Sequence, residues 1–131
     1  MEKLVLLSKR RSGMTREEFM TYYEQRHMVL ATRYIGHLFQ DFRRYYPGPM
    51  QPIPTEGSSQ VDFIEPPMDA ISVYTFKTAD GPAEFQKLMQ DEKIAQILVA
   101  DEHMFLDRSS VLVGICDAFE GPGIVSPEFI R

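Results

Sequence analysis

The sequence is poor in the residues that build metal and redox sites. Its 131 residues include one cysteine, Cys116, and three histidines, which stand at positions 27, 37 and 103. One cysteine excludes an intramolecular disulfide and a cysteine metal cluster. The histidines lack the spacing of a ligand set, and there is no His-Glu-x-x-His motif. A glycine-rich phosphate loop and a Gly-x-Ser-x-Gly elbow are also missing, so we expect neither a metal nor another cofactor.

Long apolar runs and an excess of positive charge are absent too. No run approaches the roughly 20 apolar residues that cross a bilayer, and the run at 4–7 is too short for a signal peptide. We therefore expect no membrane association and a cytoplasmic protein. The net charge is −5, whereas a nucleic-acid binder needs a basic surface. The short cationic clusters at 9–11 and 43–44 are either solvated surface charge or contacts to a substrate carboxylate or phenolate.

The composition that remains is typical of one globular domain spanning residues 1–131. Apolar residues make up 44% of the chain and charged residues 25%. Two segments lack periodicity. Residues 47–68 contain six of the nine prolines, which indicates a long loop that covers a pocket or binds a partner. Residues 117–131 are apolar without a repeat, which indicates an arm lying on its own chain or on a partner.

The first 34 residues predict a buried strand and an amphipathic helix. The unbroken apolar run at 4–7 places a strand at 3–8, covered on both faces. Thr15 followed three residues later by Glu18 is a capping box and marks the start of a helix. Apolar spacings of three, four and seven on that helix predict a stripe that faces the core. The stripe consists of Phe19, Tyr23, Leu30 and Tyr34, and His27 lies at its edge.

The rest of the chain completes a β-α-β-β-α-β order. Strands are predicted at 38–46, 70–77 and 110–116, and a second helical region opens at Pro82. The polar run at 90–93 is expected to bend or break this second helix. This order indicates an α+β, ferredoxin-like fold with a four-stranded antiparallel sheet and both helices on one face. Three strands are apolar on both faces. We therefore expect a second copy to pack sheet to sheet, giving a homodimer.

Two ionisable residues lie beside the apolar stripes of the two helical regions. His27 belongs to the first, and Asp101 projects from the apolar side of the second. In contact, a desolvated imidazole and carboxylate would form an acid–base pair. Tyr23, one turn from His27, could donate to a phenolate or enolate. The alternative for His27 is a core-edge histidine, and for Asp101 a structural carboxylate that caps a helix or pairs with an arginine. The alternative for Tyr22 and Tyr23 is aromatic core packing.

The N-terminal string, KLVLLSKRRSGMTREEFMTYYEQRHMVLA, resembles the opening of the EthD domain family. A second resemblance covers residues 100–107, and one departure is Val29, where the family often has proline. The matching positions of the first string are Lys9, Arg10, Gly13, Met14, Thr15, Glu17, Glu18, Phe19, Tyr22, Tyr23, His27 and Leu30.

The resemblance implies a dimeric α/β-barrel and a small cofactor-independent enzyme. Its relatives dehydrate, cyclise or decarboxylate polyketide-like aromatic acids. On this basis His27 is the expected general acid or base, Asp101 orients it, and Tyr23 stabilises an enolate oxygen. The expected partner is a small hydrophobic or aromatic molecule. The alternatives are a non-catalytic accessory protein that binds a hydrophobic metabolite, and a cofactor-free monooxygenase. The residues expected to bind the substrate are Phe19, Tyr74 and Phe105.

Overall fold

The computed structural model describes residues 2–54 and 62–119. Within these residues, four strands and four helices follow one another, with one π-helical and one 3-10 segment between them. Among the described residues, no helix is both long and apolar enough to cross a bilayer. The elements are β1 (Glu2–Arg10), α1 (Arg16–Tyr22), a π segment (Tyr23–His27), α2 (Met28–Ile35), a 3-10 turn (Gly36–Leu38), β2 (Phe39–Tyr45), β3 (Ala70–Phe76), α3 (Gly81–Met89), α4 (Glu92–Glu102) and β4 (Leu106–Asp117).

The strands form one antiparallel sheet in the order β2-β3-β1-β4. With helices between the first and second and between the third and fourth strands, this is the ferredoxin-like arrangement. The α+β fold predicted from the order of elements is therefore confirmed. The antiparallel partners of β1 are β3 and β4, so β1 is a central strand, as its apolar run indicates.

The local signals at the helix ends act as expected. Thr15 and Glu18 form a reciprocal capping box, with bonds of 3.0 and 3.1 Å between side chain and backbone. Asp91 caps α4 by accepting from two backbone N–H groups. The polar run at 90–93 thus coincides with the break between α3 and α4, with Gln90 and Asp91 between the two helices.

The boundaries differ from the sequence pattern at both ends of the sheet. Residues 36–38 form a 3-10 turn, so β2 begins at Phe39 rather than at residue 38. Strand β4 begins at Leu106, four residues earlier than predicted. Its first part is polar, and its pairing with β1 shifts register between Leu7 and Lys9, which hides the two-residue alternation. The predicted loop at 47–68 and the arm at 117–131 include residues 55–61 and 120–131, which lie outside the described residues.

Strand alternation gives the sheet two different faces. On one face the paired residues Leu4 and Tyr74 enter the core beneath the helices. On the opposite face Leu7 pairs with both Ile71 and Leu112. No described helix packs on this second side, and Leu112 is 59% exposed. We call this surface, with Leu7, Ile71 and Leu112 at its centre, the open face.

Two fully buried serines on the helix-facing side of the sheet differ in their hydrogen bonding. Ser72 in β3 shares a 2.6 Å hydrogen bond with the hydroxyl of Tyr23. Ser8 in β1 has no hydrogen-bond partner for its hydroxyl among the described residues. A buried polar group without a partner costs about 1–3 kcal/mol. The two positions are therefore a matched pair for testing what each hydroxyl contributes.

We expect Ser8→Ala to leave the free energy of unfolding unchanged or to raise it by up to about 1 kcal/mol, because the alanine removes an unsatisfied hydroxyl. Ser72→Ala should lower the free energy by about 1–2 kcal/mol, because Tyr23 loses its partner. Urea unfolding at pH 7 measures both. Equal destabilisation by the two variants would show that the Ser8 hydroxyl is also bonded in the folded protein.

Candidate functional site

The candidate site is assembled by a π-helical turn in the first helical region. The backbone N–H of Met28 donates to the carbonyl of Tyr23, five residues earlier, which is the π pattern. In a regular α-helix, residues 22 and 27 would point about 140° apart around the axis. The wider π turn brings both side chains to the same side of the helix. There Tyr22 and His27 meet one carboxylate of α4.

That carboxylate belongs to Asp101, and each of its oxygens has its own partner. His27 Nδ1 lies 2.8 Å from Oδ2, and the Tyr22 hydroxyl donates to Oδ1 at 2.7 Å. The pair is largely desolvated, since His27 is 8% exposed and the Asp101 side chain 17% exposed. The structure thus brings together the two residues that the apolar stripes single out, and adds Tyr22.

Asp101 lies at an electrostatically unfavourable place on its helix. It occupies the last turn of α4, where the macrodipole is negative and carboxylates are disfavoured. The neighbouring Glu102 is compensated by a 2.6 Å ion pair with Arg108. Asp101 is compensated by Tyr22 and His27. An acidic residue in the last turn of a predicted helix opposes the usual preference for cations there. That signal could have indicated Asp101 from the sequence.

The tyrosine partner remains protonated over the physiological range. Burial, and after it the hydrogen bond to Asp101 and the carboxylate's charge, raise the pKa of Tyr22 to about 12. Tyr22 therefore acts as a hydrogen-bond donor to Asp101 and not as a base. Sequence reasoning groups Tyr22 with core packing, because helical spacing aligns Tyr23 and not Tyr22 with His27.

Tyr23 lies on the sheet side of His27. The two rings meet edge to face with centroids 5.6 Å apart, as expected for residues one turn apart. The Tyr23 hydroxyl, however, bonds to Ser72 and does not reach Asp101. Burial raises its pKa above the ordinary value, so it too is neutral at physiological pH.

The ring of Phe105 packs against the imidazole of His27 on the core side. The ring of Phe105 lies 4.9 Å from the His27 ring and 5.1 Å from the Tyr22 ring, nearly parallel to the latter. Phe105 and Phe19 are both fully buried and 5.8 Å apart. These two predicted substrate-binding residues therefore lie in the core beneath the site, and of the two it is Phe105 that packs against His27 and Tyr22.

The second nitrogen of His27 has no hydrogen-bond partner among residues 2–54 and 62–119. An ionised carboxylate only accepts hydrogen bonds, so Nδ1 carries the proton that binds Asp101. In the neutral ring, Nε2 then holds the free lone pair. This is the arrangement of an imidazole whose tautomer is set by a carboxylate, ready to take a proton at Nε2.

A cavity of about 230 Å³ opens beside the site, between α2 and β2. Tyr74, the third predicted substrate-binding residue, lines it, and so does Met28, which directly follows His27. Neither His27 nor Asp101 lines this cavity or three further cavities among the described residues. The lining comprises Met28, Ala31, Thr32, Ile35, Gly36, Phe39, Gln40, Asp41, Phe42 and Tyr74.

The described residues also limit what metals the site could hold. No group of three or more His, Cys, Asp or Glu side chains converges within residues 2–54 and 62–119. Three ligands are the usual minimum for a catalytic zinc. Among the described residues, Asp101 is the carboxylate bonded to His27, and both of its oxygens are engaged.

These features define an α+β protein with a ferredoxin-like fold that joins a histidine and an aspartate between its helical regions. The chain belongs to the EthD family: residues 11–109 match the EthD domain. The family resemblance noted in the sequence is thereby confirmed. A search of curated proteins gives no match.

Solved structures show the same fold at low sequence identity. An EthD-like protein from Ralstonia eutropha is 14% identical with a TM-score of 0.59, over 88% of this chain and 89% of that chain. An EthD family protein from Bacillus halodurans is 16% identical with a TM-score of 0.56, over 91% and 99%. A protein from Arabidopsis thaliana is 17% identical with a TM-score of 0.52, over 92% and 98%.

We expect Tyr22→Phe to lower the free energy of unfolding at pH 7 by about 1–2 kcal/mol, because Asp101 loses a hydrogen bond at an unfavourable helix end. In the Asp101→Ala variant, Tyr22→Phe should cost only a small part of this free energy. The double-mutant cycle should therefore give a coupling energy of about the same size as the loss in the wild type. Denaturant unfolding of the four proteins measures it.

Tyr34→Phe is the control for this cycle, because no hydrogen bond of the Tyr34 hydroxyl joins it to another described residue. Its effect should stay within about 0.5 kcal/mol. Strictly additive effects of Tyr22→Phe and Asp101→Ala would contradict the contact.

Proposed function

We propose that this protein is a small cofactor-independent enzyme that performs acid–base chemistry on a hydrophobic aromatic carbonyl compound. The observation that carries the proposal is the contact between His27 Nδ1 and Asp101, which leaves Nε2 free. The reaction class is proton transfer next to a carbonyl, as in a dehydratase, cyclase or decarboxylase.

In this proposal each residue of the site has one task. In a dehydration, His27 Nε2 removes a proton from the carbon beside the carbonyl and then gives it to the departing hydroxyl, which leaves as water; in an aldol cyclisation the same proton goes to the new alkoxide oxygen. In a decarboxylation, the imidazolium instead donates its proton to the carbon that has lost carbon dioxide. Asp101 holds the tautomer and stabilises the imidazolium that forms, while Tyr22 keeps the carboxylate in place. For Tyr23 to stabilise the enolate oxygen, its hydroxyl must exchange Ser72 for the substrate.

The cavity beside Tyr74 supports a substrate with a single aromatic ring. A cavity of about 150 Å³ is enough for benzene, so about 230 Å³ suits one ring with short substituents and is small for three fused rings. Phe39, Phe42 and Tyr74 supply aromatic walls, and Asp41 and Gln40 supply polar groups. Met28 lines the cavity and directly follows His27 in the chain, whereas His27 itself does not line it, so a bound ring would reach Nε2 only if the side chains between them move.

The second candidate function is binding without turnover. The observation that favours it is the burial of His27, whose ring is packed against Phe105 and does not line the cavity beside Tyr74. As an accessory protein, the chain would carry or protect a hydrophobic metabolite in the cavity, and the His27–Asp101 pair would only join the helices.

His27→Ala separates the two functions. With a panel of single-ring β-keto aromatic acids, an enzyme should lose at least about 100-fold in turnover, because a positioned acid–base group contributes that much or more. His37→Ala is the matched control, since His37 is exposed in the 3-10 turn and should leave turnover unchanged.

Ligand-induced thermal shifts complete this test. A ligand at a hundred times its Kd stabilises the folded protein by about 2.7 kcal/mol, which is several degrees in Tm. A shift with quantitative recovery of unchanged ligand would favour the binding protein. Oxygen uptake with a hydroxylated product would instead indicate a monooxygenase. Turnover that survives in His27→Ala would remove the assignment of the base.

We propose further that the open face joins two copies in a homodimer. Leu7 and Ile71 lie on the same face as Leu112, which is 59% exposed. Tyr45 in β2 pairs with Ile71 and extends this apolar surface to the edge strand. Two such faces packed sheet to sheet around a two-fold axis would bury them all, completing a dimeric α/β-barrel.

Light scattering at micromolar concentration should therefore give twice the chain mass, and Leu112→Glu should shift it to the monomer by burying an unpaired charge. Val29→Glu is the control, because Val29 is 57% exposed on the helical side, away from the open face. A monomeric wild-type protein, or dimers that persist in Leu112→Glu, would contradict this interface.

A further inference from the structure

A broad groove of about 1060 Å³ lies where β1 ends and β4 begins, separate from the cavity beside Tyr74. The two chain segments that form it are tied together, because the backbone N–H of Arg11 donates to the carbonyl of Phe105 at 2.8 Å. The groove is lined by Lys9, Arg10, Arg11, Ser12, Gly13, Met14, Asp69, His103, Leu106, Asp107, Arg108 and Ser109.

The groove is basic in a chain whose net charge is −5. Four of its lining residues are lysine or arginine, and two are aspartate. Neither aspartate pairs with a cation. Asp69 accepts from the backbone N–H of Arg10 at 2.8 Å, and Asp107 accepts from the backbone and hydroxyl of Ser109 at 3.1 and 2.6 Å.

Three of the four cations have no acidic partner among the described residues. Arg108 pairs with Glu102, but the side chains of Lys9, Arg10 and Arg11 make no ion pair or hydrogen bond with another described residue. The two aspartates of the groove accept hydrogen bonds from neutral donors and form no ion pair with these cations. Within the described residues, the side chains at 9–11 are therefore available to an anionic ligand.

The backbone at these cations is fixed by the end of a strand and by a turn. Lys9 and Arg10 are the last two residues of β1, and Arg11 is the first residue of the turn. Met14 N–H donates to the Arg11 carbonyl at 3.1 Å, which closes this four-residue turn. Gly13 at its third position has a φ of +85°, the value that a type II turn requires and that glycine supplies without steric cost. Together with the bond from Arg11 to Phe105, the turn fixes the backbone from which the arginine side chains extend.

We propose that this groove binds an oxyanion that carries at least two negative charges. Planar guanidinium groups match such oxygens in a bidentate geometry, and two neighbouring arginines with a lysine can neutralise a group of that charge. Phosphate esters and polycarboxylates share this chemistry. The openness of the groove suits an anion that is part of a larger molecule. The inference does not depend on the proposed reaction at His27.

Titration calorimetry with inorganic pyrophosphate and with citrate tests the proposal, against sodium chloride at matched ionic strength. We expect saturable binding to the full chain, weakened about tenfold or more in Arg11→Gln and again in Arg10→Gln, since each removes charge-assisted hydrogen bonds. Both changes keep the backbone bonds of the turn. Arg33→Gln, an exposed cation of α2 outside the groove, should bind as the wild type does.

The two probes distinguish the sources of the anion. Binding of pyrophosphate alone supports a phosphate ester, and binding of both supports recognition of charge in either form. No saturable binding beyond the chloride control would overturn the proposal, and so would equal affinities of the wild type and both groove variants.

Discussion

The contact between Asp101 and the first helical region is the constraint on which the site depends. A carboxylate in the last turn of α4 opposes the helix macrodipole, and it is mostly removed from water. Such a group is tolerated only when its oxygens are bonded. Here one oxygen of Asp101 binds Tyr22 and the other binds His27. The charge that would destabilise an isolated α4 therefore joins α4 to the first helical region.

The same contact explains why the first helical region contains a π turn. Two partners five residues apart cannot both face one carboxylate from a regular α-helix. The π turn places them together at the cost of poorer backbone geometry, and such insertions are frequent at functional sites. Phe105 then fills the space beneath both rings. The π turn, the contact with Asp101 and the ring of Phe105 together hold the imidazole of His27 in one orientation. Its Nε2 then points away from Asp101.

The elements of the fold could be predicted from sequence because they follow local patterns. The run at 4–7, the capping box at Thr15 and the break at 90–93 all have the expected structure. His27 and Asp101 could be found because helical periodicity places both at apolar stripes. Tyr22 could not, since a period of 3.6 residues pairs His27 with Tyr23. The early start of β4 was also hidden, because a register shift and local side-chain bonds interrupt its alternation.

The cavity beside Tyr74, the open face and the basic groove lie on different parts of the protein because of the way the strands alternate and end. Residues on alternate sides of β1 contribute to different surfaces: Leu4 to the core beneath the helices and Leu7 to the open face. Where β1 ends, the type II turn carries Arg11 beyond the sheet. An aromatic ring beside Tyr74, a second copy on the open face and an anion at the turn would therefore not compete for space. Phe105 connects the His27–Asp101 pair with the groove, because its ring packs against His27 while its carbonyl accepts from the Arg11 N–H at the basic turn.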